Sequence, residues 1–150
     1  MRNLLFVLLL SLPALALPSA EEVVTKLYRT HLKTQDMRKT VAQNGRCFTP
    51  EFLELLEKAL SKPEANIDIF THRKESMSDF ELGPTTIQGN QAQVHVEIWT
   101  GGRVGLQKGE PEKATLYLIT VNDGVGLQVN DIQFTTTRPR FKVADFLRGL

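Results

Sequence analysis

The chain has 150 residues, 41% of them hydrophobic and 23% charged, and a formal net charge of +1, which fits one ordinary globular domain and calls for no long disordered tail. So small a charge argues against nucleic acid and anionic membrane surfaces, which are usually met by a basic face. Cys47 is the sole cysteine, so there is no internal disulfide and the core must carry stability alone.

The chain opens with Arg2, an apolar run from Leu4 to Leu12, a breaker at Pro13 and the small-x-small triplet Ala14-Leu15-Ala16. That order is the order of a secretory signal peptide, and the run is short of the roughly 20 residues that span a bilayer. The reading is a cleaved signal over residues 1–16, with Ala20 as the alternative end, followed by a single domain over 17–150. A buried N-terminal helix is the competing reading. No cysteine follows the run to take a lipid, so the expected destination is the periplasm or the medium, with no membrane span left after cleavage. Removing residues 1–16 deletes Arg2, so 18 basic residues become 17, against 17 acidic ones. The exported chain is neutral.

Ser19-x-x-Glu22 is a capping box, and Val23, Val24, Leu27, Tyr28, His31 and Leu32 recur at helical spacing after it. This first helix runs to about Thr34 and more weakly to Ala42, where Asn44-Gly45 ends it. Thr49 caps a second helix, with Pro50 in its first turn, Glu51 at the positive end of the dipole, and Phe52, Leu53, Leu56, Ala59 and Leu60 as its inner stripe. Pro63 stops it. Cys47, between Arg46 and Phe48, reads as a small buried residue, with a reactive or intermolecularly bonded thiol as the alternative.

From residue 66 the period changes to two. "NIDIFTH" reads as a short strand or extended segment. "DFELGPTTIQ" is a strand that Pro84 places at an edge or bend. Gly89-Asn90 turns into "QAQVHVEIWT", where Ala92, Val94, Val96 and Ile98 take one face and Gln91, Gln93, His95, Glu97 and Trp99 the other. The glycine-rich stretch from 101 is a loop or broken edge. "ATLYLITV", apolar on both faces, belongs at the centre of the sheet. Asn122-Asp123-Gly124 is a hairpin turn. In the last strand the phase slips at Asn130-Asp131, as a β-bulge requires. Val143, Phe146, Leu147 and Leu150 mark a short closing helix. Helices followed by a run of antiparallel strands make an α+β domain.

In this order, "EEVVTKLYRTHL", "RCFTPEFLELLEKAL", "NIDIF", "GNQAQVHVEIW" and "GLQVNDIQF" resemble nuclear-transport-factor-2-like domains, the cystatin-like cone fold. More narrowly, the chain resembles a family of exported bacterial proteins of that fold without an assigned function. It departs from such chains at Leu127, where Trp is common, and at Arg73-Lys74, where an acidic or amide pair is usual. The resemblance implies N-terminal helices packed in a curved antiparallel sheet, and a sheet face through which such domains often form homodimers. It implies no reaction, since the fold hosts enzymes, carriers and interaction modules alike.

Two groups of residues are candidates for chemistry. His31, with Tyr28, Asp68 or His72 as partner, would form the acid–base pair of a pocket on the helix side. His95, Glu97 and Trp99 fall on the other face of their strand and would meet a partner there, since aromatic residues are enriched at interfaces. Arg138 and Arg140, with Lys142, form a small basic cluster that would suit an anionic ligand. The histidines lack metal-binding spacing and Gly101–Gly105 lacks the ending of a phosphate loop, so neither metal nor cofactor is expected. The sequence therefore reads as an exported, non-enzymatic module for a protein or small ligand, with a small hydrolase, dehydratase or isomerase as the alternative.

Overall fold

The computed structural model describes residues 16–62, 67–101, 109–121, 124–137 and 139–150. The signal-like stretch before Ala16, the glycine-rich residues 102–108, Asn122-Asp123 of the expected hairpin turn, and Arg138 lie outside the described residues.

Helix α1 spans Ala20–Thr34 and begins at the expected capping box: Glu22 N–H donates to Ser19 Oγ at 3.2 Å, and Ser19 N–H to Glu22 Oε2 at 2.7 Å. The weak continuation is a separate helix, α2, over Met37–Asn44, whose N-cap Asp36 accepts from Lys39 N–H. Between them Gln35 takes a left-handed backbone, φ 49°. Its side chain donates to the carbonyls of Leu32 (2.8 Å) and Met77 (2.7 Å) and accepts from Met77 N–H (2.9 Å). One glutamine thus ends the helix and pairs with the first residue of the sheet. Helix α3, Pro50–Leu60, is capped by Thr49 as expected.

The segment read as a short strand or extended segment is a turn over residues 69–71. The Asp68 carboxylate accepts from Phe70 N–H at 2.8 Å and its carbonyl accepts from His72 N–H at 2.7 Å. An aspartate that bonds its own backbone two residues on closes the chain into a turn, and this local bond defeats the alternating pattern.

Among the described residues five strands follow: β1 (Met77–Gln88), β2 (Gln91–Thr100), β3 (Glu112–Thr120), β4 (Leu127–Phe134) and β5 (Phe141–Lys142), before helix α4 (Val143–Arg148). They form one antiparallel sheet in the order β1-β2-β3-β4-β5, with the doubly apolar strand in the middle. β1, at the edge, slips register beside Ser78 and again at Gly83-Pro84. A Cβ on Gly83 would stand 3.2 Å from the Cβ of His95, so glycine lets the bulged edge close over that residue. In β4, Tyr117 pairs with Asp131 and Leu118 with Val129, leaving Asn130 as the extra residue of the expected bulge. Asn130 Oδ1 then accepts from the Thr49 hydroxyl at 3.0 Å, which ties the bulge to the start of α3.

The helices pack on the sheet face that carries Ala92, Val94, Val96 and Ile98, and one core joins them. Leu27 and Leu116 are 0% exposed and Leu118 1%. Those side chains fill the space where a pocket on the helix side would open. Among the described residues no helix is long and apolar enough to cross a membrane.

Candidate functional site

On the helix side, α1 and the Asp68 turn bring three of the expected pocket residues together. Tyr28 and His31 stand one turn apart on the apolar stripe of α1, and both are 0% exposed. The Tyr28 hydroxyl donates to the carbonyl of Phe70 at 3.1 Å. Burial drives its phenol far above the usual range, and the Asp68 charge adds to that. His31 Nδ1 lies 3.0 Å from Thr40 Oγ1, a hydroxyl that also meets the Asp36 carbonyl at 2.8 Å and the Thr34 hydroxyl at 2.9 Å. His31 Nε2 lies 2.8 Å from Asp68 Oδ2, within reach of its charge but out of line for a directed hydrogen bond. The His31 ring also packs on Phe70, with centroids 4.9 Å apart. An acid–base pair is present in outline, but Tyr28 and His31 are both 0% exposed and only the Asp68 side chain, 23% exposed, meets solvent.

His72 does not join this group. Its ring stacks on Phe134 (5.1 Å) and Phe141 (4.5 Å), its backbone is left-handed at φ 55°, and burial lowers its basicity. Beside it, Arg73 pairs with the buried carboxylate of Glu112, which also accepts from the Thr136 hydroxyl. Arg73 thus neutralises a buried charge. Arg140 is exposed. Cys47 is buried and its thiol is pushed up chiefly by desolvation, opposed by the charge of Lys26, which suits a packed core residue rather than a nucleophile.

The opposite face of the sheet is open and polar. His95 Nδ1 lies 3.0 Å from the Thr115 hydroxyl, and Glu97 pairs with Lys113 at 3.3 Å. These are the direct cross-strand partners in the β2–β3 register. Trp99 Nε1 donates to the carbonyl of Gly109 at 2.9 Å. Two hollows mark this face. The smaller, about 240 Å³, is lined by Glu81, His95, Glu97 and Lys113 beneath the Gly83 bulge. The larger, about 310 Å³, crosses the other end of the sheet and is lined from all five strands by residues that include Gln88, Gln93, Tyr117, Gln133 and Lys142. Tyr117, Gln133, Thr115 and Lys113 escape the sequence reading. The alternation Lys113, Thr115, Tyr117 was their signal, masked by the apolar residues on both sides of β3.

Asp131, also in the larger hollow, fixes its corner. Its Oδ1 accepts from Ile132 N–H at 2.8 Å and from Ala144 N–H at 2.9 Å, holding α4 against β4. Burial raises its carboxyl above the usual range, and the two amide bonds oppose that rise.

Among the described residues no group of three or more His, Cys, Asp or Glu is placed to hold a metal ion. No family model, curated protein or solved structure matches the chain.

Proposed function

We propose that this chain is an exported binding module of the nuclear-transport-factor-2-like fold, which takes a small ligand or a protein partner on the open face of its sheet. One contrast carries the reading. On the helix side Tyr28 and His31 are sealed at 0% exposure and only the Asp68 carboxylate beside them reaches the surface, whereas the far face presents hollows lined by polar side chains from every strand. Binding needs only such a surface, while catalysis by the helix-side pair would need Tyr28 and His31 within a substrate's reach. Export rests on the order of residues 1–16, and on that reading the mature chain begins at Leu17. A homodimer through the sheet face is one form the partner would take.

The competing reading, a hydrolase, dehydratase or isomerase, has the meeting of His31 with Asp68 in its favour. Amide chemical-shift mapping separates the two. At least one class of probe among saccharides, short peptides, acyl chains and phosphate is expected to perturb residues 91–97 and 113–117, and none to move Leu27, His31 or Asp68. Saturable shifts at His31 and Asp68, with the sheet face silent, would overturn the binding reading.

A further inference from the structure

We propose that the larger hollow on the open sheet face is a site for an uncharged, hydroxyl-bearing ligand, a short saccharide. This rests on the binding-module reading and deepens it.

The lining chemistry selects the class. Gln88, Gln91, Gln93 and Gln133 bring four carboxamides to one hollow. Each carboxamide offers an acceptor and two donors in a plane. Hydroxyl groups both donate and accept, so a row of carboxamides matches neighbouring hydroxyls on a ring. The side chains of Gln88, Gln91 and Gln93 are exposed and make no hydrogen bond to another described residue. Gln133 is 5% exposed. Its Oε1 is taken by the Tyr117 hydroxyl at 2.8 Å, which leaves its NH₂ as the group for a ligand. A buried amide held in one orientation by a tyrosine is a pre-set donor, and pre-setting lowers the ordering cost of binding.

Other ligand classes fit less well. The charged lining residues are Asp131 and Lys142, one of each sign, so neither an anion nor a cation is favoured. The apolar side chains Tyr117 and Ile119 supply a strip for the C–H face of a sugar ring but not a bed for an acyl chain. A peptide that adds to a sheet does so through backbone bonds at an edge. Here the hollow lies on the face, where the β2 and β3 backbones are already paired with their neighbours. At about 310 Å³ the space stands at the small end of ligand sites, which run from about 300 to 1,000 Å³.

The test is an NMR titration of the protein with cellobiose and with N,N′-diacetylchitobiose, with glycerol, triglycine and inorganic phosphate as controls. At least one disaccharide is expected to give saturable shifts at Gln91, Gln93, Tyr117 and Gln133, with glycerol silent. The double variant Gln91→Ala/Gln93→Ala, at exposed sites whose side chains hold nothing in place, should keep its thermal midpoint and bind at least tenfold more weakly. Disaccharide shifts undiminished in that variant overturn the site. Occupation of the hollow by triglycine or phosphate but not by sugar overturns the ligand class and leaves the binding module standing. Silence of the sheet face to every probe overturns the saccharide site, and shifts at His31 and Asp68 with that face silent overturn the binding module as well.

Discussion

At the scale of single residues, Asp131 shows how one carboxylate serves two neighbours at an electrostatic cost. Its Oδ1 holds the amides of Ile132 and Ala144, while burial raises its pKa above the ordinary 3.8. A carboxyl whose folded pKa is raised favours the folded state most below its unfolded pKa, and that contribution is lost as pH rises through the folded value. Asp131→Asn keeps an oxygen for both amides and carries no charge. It is expected to be at least as stable as the parent at pH 7, with the difference shrinking as pH falls and the Asp131 carboxyl takes up its proton. Thermal melts over that fall in pH check both the sign and the trend. Tyr28 and His31 carry the opposite lesson. Their spacing on α1 was plain from the sequence, but whether they line a pocket or fill a core depends on what packs over them. Leu27, Phe70 and the far strands decide that, and no local pattern announces it.

At the scale of elements, the central position of β3 followed from apolar residues on both its faces, and the structure places it third of five. Leu116→Ala should therefore cost about 2–5 kcal/mol, the range for emptying a buried leucine site, as a chemical-denaturation midpoint would report. α1, α3 and the β4 bulge were legible because capping residues and phase slips are written locally. The break between α1 and α2 was not, because Gln35 ends the helix by bonding to Met77, 42 residues away. The Asp68 turn was misread because alternation and an aspartate turn share the same letters over so short a span. On the candidate site, His95 and Glu97 were visible from period two alone. Their partners Thr115 and Lys113 needed the register between strands, which depends on loop lengths and bulges together.

At the scale of the whole molecule, the two sides of one sheet have divided the work. The helix side holds the apolar residues, including Cys47, and substitutes for the disulfides the chain lacks. The far side carries the glutamines, His95 and the Glu97–Lys113 pair. This arrangement leaves β1 as a long outer strand, and its interruptions matter beyond shape. The Met77 backbone is already occupied by Gln35, and the slips beside Ser78 and at Gly83-Pro84 leave only Asp79–Leu82 and Thr85–Gln88 in unbroken register. A straight strand would offer a continuous row of backbone groups to a stranger's chain. Replacing Gly83-Pro84 with Thr-Val should give a protein that still folds but scatters light and takes up an amyloid dye on storage, while the parent stays clear. The kinked border thus interrupts the row of backbone groups on which stacking of one copy edge-on against another would depend.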